Sequence, residues 1–152
     1  MEDNRTVPLS LEYVIDDRQL DAAGFIAFVN KVWPGNYDEN KTSAALAKTI
    51  NITAYDGGTL VGCLRILTDG YYFGTITELL VLPDYQNRGI GSRLLQLARE
   101  NTPTTLYFGA QPAAEGFYEK NGCPKGFQSF FHTEKTHIGQ KNRSSVFEKR
   151  KR

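Results

Sequence analysis

The spacing of apolar and polar residues along the chain predicts an order of strands and helices. Alternation over residues 11–15 predicts an opening strand. Apolar residues then recur at helical spacing over residues 20–30, and Asp16 and Asp17 are candidate N-caps for that helix. An alanine-rich run predicts a second helix over residues 38–50.

The middle of the chain predicts three consecutive antiparallel strands. Apolar runs at residues 52–55 and 59–67 flank an Asp-Gly-Gly turn at residues 56–58, which is typical of a hairpin. A second turn at residues 69–70 leads into a strand over residues 73–82. Two helices are therefore followed by an antiparallel meander.

The next elements predict a change to parallel pairing. A helix from Ile90 has one apolar face, and a short buried strand over residues 105–109 follows it. A strand, helix and strand in that order imply a parallel pair joined by a right-handed crossover. A helix over residues 112–121 and a last strand over residues 127–132 complete the pattern.

The junction between the strand ending at residue 82 and the helix from Ile90 has the features of an anion site. Pro83 ends the strand because proline cannot donate a ladder hydrogen bond. The sequence QNRGIG at residues 86–91 then supplies backbone N–H groups at a helix start, where the helix dipole is positive. Phosphate is the usual ligand of such a site.

Two common phosphate motifs do not fit this junction. A Walker loop requires lysine after its second glycine, whereas Gly91 is followed by Ser92. A dinucleotide fingerprint requires a third glycine three residues beyond Gly91, and that position is Leu94. What remains is the pattern Gln/Arg-x-x-Gly-x-Gly/Ala.

This pattern resembles the coenzyme A pyrophosphate loop of the GNAT superfamily of N-acetyltransferases. A second match, QPAAEGFYEKNGC at residues 111–123, lies at the family's usual distance, with Gln111 where Asn is usual and Cys123 where an aromatic is usual. The resemblance covers residues 8–132 and implies an α/β (α+β) GNAT fold. In that fold a mixed, mostly antiparallel twisted sheet of six to seven strands is flanked by about four helices.

The resemblance also implies roles for residues of this chain. Tyr118 would be the general acid toward the coenzyme thiolate, and Glu78 a base or a carboxylate that orders a water. A packed aromatic and a solvated or salt-bridged glutamate are the alternatives for these two residues. Acetyl-CoA would be held by the strand end, the loop and one later residue, namely Leu80, Val81, Leu82, Gln86, Asn87, Arg88, Gly89, Ile90, Gly91, Ser92 and Gln111.

The acceptor side is less defined by the sequence. Trp33, Tyr37, Tyr71 and Tyr72 lie in or near loops that this fold places around the substrate cleft, where they would be recognition residues or loop anchors. Arg65 could pair a substrate carboxylate or reach solvent from an edge. A small-molecule amine is favoured over a protein as acceptor, and a homodimer is compatible with the family.

Composition and charge narrow the class of protein further. With 152 residues, 40% hydrophobic content and a net charge of +1, the chain fits one globular domain over residues 1–132, without a general bias toward nucleic acid. Residues 141–152 contain six basic residues and one acidic residue, so residues 133–152 are expected to form a weakly ordered basic tail. No apolar run is long enough to span a membrane, and the two cysteines have no metal-binding spacing, so a cytoplasmic protein without a metal is expected.

The leading functional hypothesis is an N-acetyltransferase in which an amine attacks the thioester of acetyl-CoA directly. The alternative is a catalytically silent domain that binds acyl-CoA as a sensor or adaptor. A third hypothesis makes the basic tail a contact to RNA or the ribosome.

Overall fold

The computed structural model describes residues 8–130 and residue 132. Five strands and four α-helices follow one another as β1 (Leu11–Val14), α1 (Ala22–Val32), α2 (Glu39–Ala47), β2 (Ile50–Asp56), β3 (Thr59–Thr68), β4 (Gly74–Val81), α3 (Ile90–Glu100), β5 (Leu106–Tyr107) and α4 (Glu115–Lys120). Short 3₁₀ turns at Pro83–Tyr85 and Pro112–Ala114 precede α3 and α4. The expected basic tail lies outside the described residues.

The strands form one mixed sheet in the order β1-β2-β3-β4-β5. The first four strands pair antiparallel, and β5 pairs parallel to β4. α1 and α2 contact each other, and α1 also packs on β3 and β4, while α3 packs on β2, β3 and β4. The predicted change from antiparallel to parallel pairing is therefore confirmed.

The two faces of the sheet can be assigned from side-chain contacts. A Cβ on Gly62 would lie 3.1 Å from both Ile90 Cγ2 and Leu94 Cδ1, so Gly62 faces α3. Its neighbours in β3 face the other way by strand alternation. Arg65 accordingly places its guanidinium over the ring of Phe25 in α1.

The end of the sheet differs from the sequence expectation. Six to seven strands were expected, and the described residues contain five. Of the expected last strand, residues 127–130 and 132 are not in a strand, and Phe127 and Phe130 are about 90% exposed. The run is aromatic like many strands, but these side chains do not pack on the described core, so the prediction is wrong there. The expected strand at 105–109 is also shorter.

The expected caps of the first helix were also wrong. Asp21 is the N-cap of α1, and its side chain accepts from the Gly24 N–H at 2.7 Å. Asp16 has a positive φ of 51° and pairs with Arg18. Asp17 instead turns into the protein, where it is 5% exposed. Both residues belong to the turn that leads into α1.

Asp17 joins this turn to the sheet through a small buried network. Its carboxyl oxygen Oδ2 accepts from Thr53 Oγ1 at 2.9 Å and from the Tyr55 hydroxyl at 2.6 Å. Oδ1 accepts from the Gln19 N–H at 3.0 Å. Burial, followed by the hydrogen bond to Asp17, raises the pKa of Tyr55 to about 12, so the phenol remains a donor at neutral pH.

We expect Asp17→Asn to lower the free energy of unfolding by about 2 kcal/mol, because one buried donor loses its acceptor. Asp16→Asn is the matched control. It alters an exposed ion pair and keeps a residue that tolerates positive φ, so its effect should stay below about 0.5 kcal/mol. Urea unfolding of both variants measures the difference, and equal losses would contradict the assignment.

Candidate functional site

β4 and β5 separate soon after they meet, and this separation opens a cleft. Their parallel pairing covers only Gly74 with Leu106 and Thr75 with Tyr107. The register of β4 against β3 shifts immediately afterwards, because Arg65 pairs with Glu78 and Ile66 with Ile76. A bulge of this kind bends a strand and increases its twist. Beyond it, β4 continues to Val81 in pairing with β3, while its other edge has no described strand beside it.

The peptide groups that face this opening can be identified. The Leu82 N–H donates to the Val61 carbonyl at 2.9 Å, so Leu82 is directed to β3. By alternation the peptide groups of Val81 face the opposite side. There the Val81 carbonyl accepts from Gln86 Nε2 at 3.1 Å. Peptide groups beside the cleft are suited to hold an extended ligand as a further strand would be held.

The strand residues expected to hold the cofactor therefore divide into two groups. Val81 lines the cleft, together with Leu79, which was not predicted. The side chains of Leu80 and Leu82 are buried in the core. Leu79 could have been predicted from Val81, because every second residue of a strand faces the same side.

The loop and the start of α3 form the base of the cleft. Asn87 and Gly89 have positive φ angles of 61° and 82°, and Gly89 is the N-cap of α3. The N–H groups at the start of a helix have no intrahelical acceptor, so those of Ile90, Gly91 and Ser92 are available for an anion. The side chain of Ile90, in contrast, is buried and anchors the helix in the core.

The glycine at position 91 allows close packing of α3 on α4. A Cβ at Gly91 would lie 3.3 Å from Cζ of Phe117, which is tighter than ordinary van der Waals contact. Phe117 also lines the cleft, as do Gly91 and Ser92. The second glycine therefore allows α4 to pack against the N-terminal end of α3.

The loop is attached to the body of the protein through Tyr85. Its hydroxyl donates to Asp56 Oδ2 at 2.8 Å, and this hydrogen bond is the main reason that the pKa of Tyr85 is raised. The guanidinium of Arg88 lies 5.6 Å from the centre of the Tyr85 ring. Arg88 does not line the cleft itself, but it places positive charge beside the loop.

The cleft has a volume of about 490 Å³ and joins the strand end to α4. Its walls come from β4, the loop, the start of α3 and one face of α4, and include Leu79, Val81, Gln86, Gly89, Phe117 and Tyr118. Lys120 and Asn121 also line it and were not singled out in the sequence. Their helical spacing from Phe117 is the signal that could have found them.

Tyr118 lies in an aromatic cluster on the wall of this cleft. Its ring is 4.9 Å from that of Phe108 and 5.1 Å from that of Phe117, measured between centroids. Burial, and then the nearby Cys123, raises the pKa of the Tyr118 hydroxyl. The phenol is therefore protonated at neutral pH and able to donate a proton.

Glu78 lies on β4 but is engaged by its neighbour on β3. Arg65 Nε donates to Glu78 Oε1, and Nη2 donates to Oε2 at 3.1 Å. The Arg65 side chain is 15% exposed and the Glu78 side chain is 9% exposed. Glu78 is therefore a salt-bridged glutamate, which was one of the alternatives considered for it from the sequence. Its partner in this salt bridge is Arg65.

One of the expected acceptor-side residues, Tyr37, lies near Glu78. The Tyr37 hydroxyl donates to the Trp33 carbonyl at 2.7 Å, which ties the loop between α1 and α2 to the end of α1. Burial, and then the charge of Glu78, raises the pKa of Tyr37. Tyr37 is therefore close enough to Glu78 to feel its charge and remains a neutral phenol at pH 7.

The other expected residues lie elsewhere. Tyr71 and Tyr72 are 78% and 84% exposed in the turn between β3 and β4. That turn lies before Gly74, about 24 Å along the strand from Val81. Gln111 precedes the 3₁₀ turn before α4 and is not among the residues that line the cleft.

The described residues contain neither a cluster of metal ligands nor a helix suited to span a membrane. No group of three or more His, Cys, Asp or Glu side chains in this part of the chain could hold a metal ion. Over the same residues, none of the helices combines the length and apolarity needed to cross a bilayer.

The splayed parallel strands and the glycine-containing loop at the start of α3 define an acetyltransferase fold of the GNAT type. Residues 48–122 match the family model for the acetyltransferase (GNAT) domain. This stretch contains β2 to α4, and so the cleft-lining loop and Tyr118. The chain belongs to the GNAT superfamily of acetyltransferases.

Individual relatives agree with this membership. An uncharacterised N-acetyltransferase of Pyropia yezoensis is 32% identical over 79 residues, which are 47% of this chain and 45% of that protein. A putative acetyltransferase of Gibberella zeae is 42% identical over 40 residues, or 26% of this chain and 23% of that protein. The chain thus matches less than half the length of either curated relative.

Solved structures extend the similarity to the fold as a whole. A GNAT family acetyltransferase from Streptococcus pneumoniae superimposes with a TM-score of 0.69 at 21% identity, covering 82% of this chain and 99% of that one. An aminoglycoside N-acetyltransferase in complex with CoA gives a TM-score of 0.65 at 10% identity, covering 86% and 99%. At these identities the similarity concerns the fold alone.

Proposed function

We propose that this protein transfers an acetyl group from acetyl-CoA to the nitrogen of an amine, by direct attack on the thioester. The observation that supports this most is the composition of one cleft. A strand end at Val81 that is open on one edge, a helix start at Gly89 and a protonated phenol at Tyr118 line it together. These three groups match the amide arm, the diphosphate and the leaving sulfur of a CoA thioester.

The donor would be held mainly by main-chain groups. N–H groups at the start of α3 suit a diphosphate, with further positive charge from Lys120 on the cleft wall and Arg88 beside the loop. Peptide groups of Leu79 and Val81 suit the amides of the pantetheine arm. The fit needs no side chain at Gly89 or Gly91, and both positions are glycine. Gln111 remains a prediction for a further contact.

The reaction needs one proton removed from nitrogen and one delivered to sulfur. The neutral amine attacks the carbonyl carbon, the C–N bond forms, and the C–S bond breaks as the tetrahedral intermediate collapses. Tyr118 gives its proton to the departing sulfur and regains one from solvent. The nitrogen proton passes to water, because both oxygens of Glu78 already accept from Arg65. Glu78 in this proposal supports the acceptor side and is not the base.

Free CoA release tests the proposal. Acetyl-CoA is incubated with the protein and a panel of small amines, and thiol release is followed against samples without amine. Release that depends on an amine, with the acetylated amine found by mass spectrometry, is the expected result. Micromolar binding of acetyl-CoA with no amine-dependent release would instead support the alternative, a sensor or adaptor.

We further propose that the acceptor is a small molecule and that the protein is located in the cytoplasm.

A further inference from the structure

The charge on the acceptor-facing side of β4 is compensated within the protein. Arg65 holds both oxygens of Glu78, so the pair has no net charge. The guanidinium also lies 5.4 Å from the centre of the Phe25 ring. Phe25 is itself buried in the core, so Arg65 is held from two directions. A guanidinium fixed in this way does not leave the carboxylate free for a cationic ligand.

A buried carboxyl group on the same face of the sheet, that of Asp17, is also engaged. Asp17 accepts two hydroxyl hydrogen bonds, from Thr53 and Tyr55, in the core. It is 5% exposed, so a ligand at the surface does not reach its oxygens. Tyr37, which senses the charge of Glu78, adds a neutral aromatic ring. Of the groups identified beside Glu78, Arg65 compensates its charge and Tyr37 adds an uncharged ring.

The position of Glu78 connects this neutral region to the reaction. Its backbone immediately precedes Leu79, which lines the donor cleft, while its side chain faces Arg65 on the side of α1. The gap left where β5 ends, after Tyr107, lies along the same stretch of β4. A ligand next to Glu78 and Tyr37 can thus approach the donor from the opposite face of the sheet.

We propose that Arg65 acts as an internal counter-ion to Glu78, and that the acceptor is consequently a monoamine on an apolar body rather than a polyamine or an aminoglycoside. The inference rests on the proposed function, since it concerns the acceptor of that reaction. A polycation loses hydration when it binds and requires uncompensated carboxylates in return. An amine on an apolar body requires only neutral surface and one position near the thioester.

Equilibrium binding tests this without requiring turnover. Protein saturated with CoA is titrated calorimetrically with 2-phenylethylamine and with the triamine spermidine. The native chain should bind 2-phenylethylamine at least ten-fold more tightly. In Arg65→Met the carboxylate of Glu78 loses its partner, and the ratio of the two affinities should move at least ten-fold toward spermidine.

Two further variants separate charge from damage to the fold. Arg65→Met combined with Glu78→Gln removes both charges and should restore the native preference. Glu78→Gln alone leaves the guanidinium uncompensated and should weaken spermidine binding further, which tests the proposal even if Arg65→Met does not fold. Thermal unfolding monitors each variant.

Three results would overturn the inference: spermidine binding as tight as 2-phenylethylamine in the native chain, binding of neither amine, or an unchanged ratio in folded charge variants. Failure of the proposed function looks different. The amines would then bind in the expected ratio, while acetyl-CoA released no thiol in their presence.

Discussion

Tyr118→Phe should lower kcat about 100-fold and leave the affinity for acetyl-CoA within a factor of two. The phenol is the proton donor proposed for the leaving sulfur, and loss of general acid catalysis typically costs 10²–10⁴-fold, or about 2.7 kcal/mol for the lower limit. The ring remains in place between Phe108 and Phe117, so packing should be preserved. Stopped-time CoA release gives kcat, and calorimetry gives the dissociation constant.

Tyr107→Phe is the matched control, because it removes the same hydroxyl group from a tyrosine outside the cleft. Tyr107 stacks on Phe73 at 5.7 Å and is about half exposed. The Tyr107→Phe variant should retain native kcat.

The raised pKa of Tyr118 also predicts how the rate depends on pH. A group that must be protonated, with a pKa above its ordinary value of 10, should not limit the rate as pH rises through 9. An unaffected kcat in Tyr118→Phe would exclude the phenol as the acid.

Gly89→Val should weaken acetyl-CoA binding at least ten-fold. Gly89 begins α3 with a φ of 82°, a conformation that a β-branched residue rarely adopts. No neighbouring atom lies within 4 Å of a Cβ there, so the added side chain meets no obstruction, and Gly89 itself lines the cleft. The side chain would then occupy the space in which a diphosphate approaches the helix N–H groups.

Gly58→Val is a closely matched control for backbone strain. Gly58 has a φ of 88° in the β2–β3 turn, and a Cβ there also meets nothing within 4 Å. Both variants should lose a similar free energy of unfolding, about 1–3 kcal/mol. Only Gly89→Val should lose affinity, as measured by calorimetry. Equal affinity in the two variants would remove the helix start from the binding site.

The loop and helix start that line the cleft could be predicted from sequence because local features specify them. A proline that ends a strand and glycines at a helix start can be recognised without knowledge of tertiary contacts. The resemblance of residues 111–123 to the family's second motif then implied that Tyr118 lies beside the coenzyme, and Gly91 and Tyr118 line one cleft in the structure. Leu80 and Leu82 point into the core instead, because alternation along β4 allows only every second residue to face the cleft.

The acceptor side depends on long-range pairing, which the sequence pattern does not contain. Whether Glu78 is solvated or salt-bridged depends on the register of β4 against β3, and this register shifts at a bulge beside Arg65. The N-cap of α1 is Asp21 and not Asp17 for a similar reason. The hydroxyls of Thr53 and Tyr55, on a strand far away in sequence, take the Asp17 side chain into the core.

The last expected strand shows the limit of a prediction made from composition. Phe127 and Phe130 belong to a run with strand-like composition, yet both are almost fully exposed. Composition measures only how well a segment would suit a half-buried sheet position. It does not supply the neighbouring strand on which the segment must pack.

The attachment of Tyr85 to Asp56 has a consequence for the rate at which a ligand is captured. Together with the Gln86 contact to Val81, it holds the start of the loop through hydrogen bonds within the protein. A preformed anion site spends little conformational entropy on binding. Association can therefore proceed without a loop-ordering step, and the cations near the loop can accelerate the encounter with a polyanion, an effect that salt would weaken.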